Sequence, residues 1–370
     1  MTAEVEGMSA EVREFGTLAD GRSTQLFVLT NGNGTEAVFT DLGAAWVSMK
    51  VRDREGEPGD VLLGYDDPET YNQNPTAMGE CVGRSANRIG NGKFTLEGVE
   101  YQLARNNHGK NNLHSGPELW CSRLFAAETE QTKLGSRVSF RLNSPDGDQG
   151  FPGALAFSVS YTLTEDDSVI IEYSGISDRT TIINPTNHAY FNLRGHDAGD
   201  ILEQEVWINA DYFTPVDAWS LPTGELRPVD GTPMDFTMQK PIGQDIDADD
   251  EQLRFGNGYD HNFVLNNQDG KLRLVAKAKD RESGRKLKIY TDLPGLQFYT
   301  GNALRAEQAE GKGGAVYDRR AGYCFETQFY PDAVNHAEWP QPVFRAGEEY
   351  HHFTIYKFVT RLDEEEEETD

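Results

Sequence analysis

The sequence predicts an all-β protein, a sandwich or barrel with almost no helix. Three observations predict it. Short runs alternate apolar and polar residues, turn-forming residues separate those runs, and a 3.6-residue apolar period is nearly absent. The period-two runs are Thr24–Leu29, Val138–Leu142, Leu155–Leu163, Ser168–Tyr173, Lys271–Ala276 and Lys286–Tyr290, all rich in Val, Ile, Tyr, Phe and Thr. The breaks between runs are Asn31-Gly32, Asn33-Gly34, Asn91-Gly92, Pro145-Asp146-Gly147, Asp230-Gly231, Asp269-Gly270 and Ser283-Gly284. The best helical candidate, Asn302 to Glu310, spans only about two turns. No fixed repeat suggests a propeller, and no linker divides residues 20 to 360. The expectation is one β domain over residues 15–362. It is flanked by a segment 1–14 free to be flexible and by an acidic, disordered tail at 363–370.

The chain has 370 residues, of which 11% are aromatic, too many for a disordered protein. Its formal net charge is −27, and the tail from Asp363 to Asp370 holds seven acids and no base. So acidic a body repels phosphates, which argues against nucleic acid and anionic membranes as partners. No apolar run approaches the ~18 residues of a membrane span. Met1 to Glu14 lacks the apolar core of a signal peptide. Cys81, Cys121 and Cys324 are odd in number and far apart, which fits a reducing, cytoplasmic compartment rather than a disulfide framework or a cysteine zinc site. Asn33-Gly34-Thr35 matches a glycosylation triplet but reads as a hairpin turn.

Some motifs lead nowhere. Asp146-Gly-Asp148-Gln-Gly150 lacks the later ligands of a calcium loop. Gly90-Asn-Gly-Lys93 lacks the spacing of a phosphate loop. His351 and His352 are adjacent, so a strand would turn them to opposite faces.

The informative feature is a set of short polar clusters between strand runs. They are Arg84-Ser-Ala-Asn87-Arg88, Asn112-Leu-His114, Asn184 to Asn192, Gly258 to Phe263, Pro294 to Asn302 and Gly322 to Gln328. Asn, Arg, Gln and Asp beside aromatics suit a sugar, whose hydroxyls need polar partners and whose ring faces stack on aromatics. Histidine and carboxylates add the means for acid–base work near neutral pH. Alternation puts Glu326 on one face with Cys324 and Gln328. A carboxylate buried there is costly unless paired, and such groups are often functional. Each residue also has a structural reading: a histidine as a hydrogen-bonded frame residue, Asp260 as a turn cap. By themselves the residues leave an enzyme and a sugar-binding module open.

Taken together, the clusters resemble the galactose mutarotase (aldose 1-epimerase) family. The similar segments are Gly83 to Ile89, Asn112-Leu-His114, Ser144 to Gly147 with Gly150 to Gly153, and Asn184 to Leu193. Tyr259 to Phe263, Pro294 to Asn302, Phe325 to Gln328 and Pro331 to Asn335 continue the series. Their order and spacing match over about residues 15–360. The resemblance implies a large antiparallel β-sandwich, a galactose mutarotase-like supersandwich with a sugar cleft on one face. It implies interconversion of the anomers of a free aldose, with no cofactor and no metal. Glu326 is implied as general base and His188 as general acid. Asn87, Arg88, His114, Tyr190, Asp260 and Gln297 are implied as substrate ligands. A carboxylate near His188 is expected to raise its pKa, and the imidazolium to lower that of Glu326.

The expected partner is a monosaccharide, and the expected state a monomer or weak homodimer. No nucleotide-sugar epimerase domain is expected ahead of this region. After His114 the sequence departs from the family's more usual Gly-Gly, so a different cleft rim is expected. The alternatives are a non-catalytic sugar-binding protein on the same fold, a glycosidase using Asp260 and Glu326, and a hexose-phosphate epimerase, for which only Arg84 and Arg88 offer cations.

Overall fold

The computed structural model describes residues 7–360. The acidic tail and the expected domain end at residue 362 lie outside the described residues. The ladders between named strands are antiparallel throughout, as alternating runs joined by tight turns require.

Three sheets make the body. Ser9–Thr17, Ser23–Thr30, Glu36–Thr40, Trp46–Arg52 and Pro58–Asp60 pair in chain order as the first. Its second hairpin closes at Asn31, whose Oδ1 accepts the Asn33 and Thr35 N–H groups, so the glycosylation-like triplet is the turn. The second sheet has nine strands. At its centre the late strand Glu349–Val359 inserts between Ser168–Ser177 and Lys286–Thr291 and joins the two halves of the chain. The third sheet carries the site. Its strands Asp260–Val264, Gly295–Tyr299 and Cys324–Gln328 lie side by side.

The inner faces meet in one core. In Gly135–Ser144 and Leu155–Thr164 the buried residues alternate, and register sets Val138 against Tyr161 and Phe140 against Val159. Trp46, fully buried, stacks on Phe39 and meets Phe191, Tyr356 and Phe358 edge-on. Each such side chain contributes roughly 1.5–3 kcal/mol by leaving water. Gly79, at φ +69°, lies against the Trp46 carbonyl, where a Cβ would sit 2.3 Å from that oxygen.

The structure departs from the sequence expectations in several places. The first strand begins at Ser9, so residues 9–14 belong to the sheet rather than to a separate segment 1–14. Most of its side chains are exposed; backbone pairing holds it, and that leaves no apolar period to read. Asn302 to Glu310 is a series of turns, not a helix. Asn302 Nδ2 donates instead to the Gly256 and Tyr259 carbonyls, and Arg305 Nη1 to those of Asn302 and Leu304. The two α-helices among the described residues are Pro68–Gln73 and Glu251–Gly256, each of six residues, capped by Asp67 and Asp250. The run expected at Lys271–Ala276 forms as Arg273–Lys279.

His351 and His352 do turn apart, to Glu172 and Asp292 respectively. Asp146 and Asp148 pair with Arg179 and Arg123. The three cysteines are buried and free. Among the described residues no helix is long and apolar enough to cross a membrane.

Candidate active site

A cleft of about 440 Å³ opens over the Asp260, Gly295 and Cys324 strands. Its walls come from separated segments: 74–77, 87–88, 106–114, 188–190, 256–260 and 299–308. Asn74, Ala77, Asn87, His108, His114 and Asn257 line it and all have positive φ, between 29° and 57°. Non-glycine residues seldom sit in that region, and those that do gather at functional sites.

At the base of the cleft lies the strand Cys324–Gln328. Its pleat turns Cys324 and Glu326 to the same face. Glu326 is only 2% exposed, and its Oε2 has no hydrogen-bond partner in the protein. His188 follows the two-residue strand Thr186–Asn187, and its main chain is fixed on both sides. Its N–H donates to the Glu80 carbonyl, and its own carbonyl accepts from Gly79 N–H. This brings His188 Nε2 to 3.5 Å from Glu326 Oε1. On the other side of the ring, His188 Nδ1 is 3.4 Å from Cys324 Sγ.

The ionisation of this pair differs from the expectation. Burial pushes His188 down to about 4 and holds Glu326 well above the usual carboxylate range, with the Asp260 charge adding to the latter. The expected mutual stabilisation of imidazolium and carboxylate does not win, because both ions would lose water while still 3.5 Å apart. Burial therefore favours neutral imidazole and protonated carboxyl over the ion pair. Moving one proton between them gives the imidazolium–carboxylate state.

Asn87 and His114 lock together. The Asn87 N–H donates to His114 Nδ1 at 3.1 Å, and the His114 N–H donates to the Asn87 carbonyl at 2.9 Å. Burial, with the nearby His188 and Arg88, pushes His114 well below its usual pKa. With Nδ1 accepting, the neutral ring carries its proton on Nε2 and serves as a donor there. Arg88 lines the cleft and donates from Nε to Asn107 Oδ1. Tyr190 also lines it, with its ring 5.1 Å from that of His188 and its hydroxyl donating to the Thr76 carbonyl. Asp260 faces the same space; burial raises its pKa while Arg88 and Gln297 oppose that rise.

Gln297 is the one expected ligand that does not line the cleft. It is 3% exposed, stands directly opposite Glu326 in register, and donates from Nε2 to Asp260 Oδ1 at 2.7 Å. Gln328 in turn donates to Gln297 Oε1. Arg84 is turned away as well. Fully buried, its guanidinium donates to Ser144 Oγ and to the Ser144, Pro145 and Pro152 carbonyls, which leaves it no part in binding a phosphate. The structure adds Asn107, His108, Tyr299, Arg305 and the thiol of Cys324 to the site. Tyr299 and Cys324 lie inside the polar clusters of the sequence, and Asn107-His108 formed an unread polar pair.

Among the described residues, His188, Cys324 and Glu326 form the His/Cys/carboxylate group close enough to hold an ion, with donor atoms within 4.8 Å of one another. Burial raises the pKa of both the thiol and the carboxyl, which opposes the deprotonated ligands a metal requires.

The chain is similar to known proteins over most of its length. The family model described as aldose 1-epimerase matches residues 25–357. Pig galactose mutarotase (Sus scrofa) is 39% identical over 349 residues, covering 93% of this chain and 97% of its own. The Escherichia coli K12 aldose 1-epimerase is 37% identical, covering 92% and 96%. Among solved structures, galactose 1-epimerase from Lactobacillus acidophilus superposes with a TM-score of 0.83 at 26% identity, covering 96% of this chain and 99% of that one. An aldose epimerase homologue from C. elegans gives 0.81 at 26%, covering 95% and 99%.

Proposed function

The chain belongs to the aldose 1-epimerase family, and we propose that it interconverts the α and β anomers of free aldoses such as D-galactose and D-glucose. Galactose is part of the names of the pig and Lactobacillus proteins. The observation that carries this reading is the buried His188–Glu326 pair, 3.5 Å apart at the base of a cleft lined with sugar-binding residue types.

The chemistry follows from the bond to be broken. An anomeric centre is a hemiacetal, so its C1–O5 bond opens once O1 loses a proton and O5 gains one. No electron carrier is required. In the reactive state Glu326 is the carboxylate and takes the O1 proton, while His188 is the imidazolium and gives its Nε2 proton to O5. The free aldehyde turns about C1–C2 and presents its other face. Closure returns both protons in reverse.

The resting pair already holds the one proton this cycle needs, so substrate entry demands a shift within the pair rather than uptake from water. Each such group typically supplies ~10²–10⁴-fold. Arg88 and the Nε2–H of His114 would stabilise charge growing on oxygen. Asp260, held by Gln297, would accept from a ring hydroxyl and set stereochemical preference.

Polarimetry tests the reading. Fresh α-D-galactose and α-D-glucose are followed at neutral pH with the protein and with its Glu326→Gln and His188→Asn variants. The expected result is faster relaxation to the unchanged final rotation, lost in both variants. No acceleration with any common aldose would overturn it.

A further inference from the structure

Cys324 makes a contact that the proposed chemistry leaves unused. Its Sγ lies 3.4 Å from His188 Nδ1, on the far side of the ring from the Nε2 that meets Glu326. One strand thus supplies a group to each ring nitrogen, because residues two apart share a face. Cys324 is fully buried, and burial beside Glu326 and Asp260 keeps it a neutral thiol. The rings of His114, Tyr190 and Tyr299 complete the surroundings of His188, at centroid distances of 5.5, 5.1 and 6.2 Å. Among the described residues the thiol is the side chain in hydrogen-bond reach of Nδ1. The carbonyl of His188 itself also favours a proton on the ring, while it accepts the Gly79 N–H with its other lone pair.

We propose that Cys324 is a positioning residue for the acid: its sulfur accepts the Nδ1–H of His188 and keeps Nε2 as the atom that gains and loses the proton. A neutral imidazole bears one N–H. If that proton moved to Nε2, the ring could not take the Glu326 proton on the side that faces the cleft, and the pair could not reach its reactive state. A partner that accepts at Nδ1 opposes this, and the partner on a second ring nitrogen commonly decides which tautomer a functional histidine adopts. A thiol is a weak acceptor, but it needs only to favour one tautomer of a ring whose other polar side-chain contact, Glu326, lies at Nε2. The inference rests on the reading of His188 as the acid.

The test compares Cys324→Ala, which removes the acceptor, with Cys324→Ser, which keeps one. ¹⁵N NMR of histidine-labelled protein reports which ring nitrogen of His188 carries hydrogen, and polarimetry gives kcat and KM. In the parent protein Nδ1 is expected to be protonated and Nε2 bare. In Cys324→Ala that preference should be lost, with kcat down about tenfold, roughly the factor one hydrogen bond supplies, and KM within about twofold. Cys324→Ser should retain the tautomer and most of kcat. An unchanged tautomer in Cys324→Ala overturns the proposal even if the rate falls, since the loss is then structural. An unchanged rate with an altered tautomer overturns it too. If Cys324→Ala does not fold, the parent spectrum decides, because a proton on Nε2 of the resting ring contradicts the proposal outright. The NMR readout needs no turnover, so an inactive parent would count against the mutarotase reading and not against the tautomer.

Discussion

Gln297 Nε2 donates to Asp260 Oδ1 at 2.7 Å, from a position behind the cleft rather than in it. Gln297 therefore holds the Asp260 carboxyl at the cleft without lining the cleft itself. Gln297→Leu is expected to raise KM for galactose about tenfold, the scale of one charge-assisted hydrogen bond. The change in kcat should stay within about threefold, because Glu326 and His188 keep their places. Steady-state polarimetry separates the two; a fall in kcat at unchanged KM would mean that Asp260 acts mainly in the transition state.

In the proposed mechanism Glu326 and His188 act on one bond as a pair. Either Glu326→Gln or His188→Asn is expected to lower kcat by about 10²–10⁴-fold with a small change in KM. The double variant should be little slower than the worse single one, because a lone acid or base cannot complete the exchange. Multiplicative losses in the double variant would show two independent contributions.

The pH–rate profile should carry the mark of burial. His188 has its pKa near 4, and Glu326 holds its proton well above the usual range. Burial thus widens the pH range of the pair's one-proton state at both ends. Activity should fall on the acid side near pH 4, where a second proton enters, rather than near the ordinary histidine value of 6.5. Measuring kcat/KM from pH 3.5 to 9 checks this; an acid limb centred near 6.5 would show an imidazolium stabilised in the free protein.

Glu80 lies next to the site and is buried, with Oε1 accepting from Cys121 N–H and Oε2 unpartnered. Its pKa is pushed up to about 8, from 4.5. Between those values the folded chain binds a proton that the unfolded chain has released. Stability is therefore lost as pH rises through that window, at up to ~1.4 kcal/mol per pH unit. Glu80→Gln keeps the acceptor and removes the charge. Urea unfolding should show it gaining on the parent from pH 4.5 to 8, with no such gain below pH 4.5. A difference independent of pH would contradict the buried, protonated state.

Much of this protein was already legible in its sequence, and the reason is local. Strand pleating has period two, so Leu155–Leu163 and Lys286–Tyr290 announced strands, and the spacing of Cys324 and Glu326 announced a shared face. The same rule separated His351 from His352. The polar clusters named the cleft residues Asn87, Arg88, His114, Tyr190 and Asp260 because loops between strands converge at a sheet's end.

What local pattern could not carry was decided by register and burial. Whether Gln297 meets the sugar or backs Asp260 depends on its standing opposite Glu326 across two strands. Arg84 and Arg88 look alike in sequence, yet one is spent on main-chain carbonyls and the other faces the cleft. Ser9–Thr17 became a strand through backbone bonds to its neighbour, and Asn302 to Glu310 stayed irregular because Asn302 found distant carbonyls. The charge state of His188 and Glu326 was decided in the same way: sequence brought an acid and a base into the reading, but only the folded interior withdrew the water that would have kept them ionised.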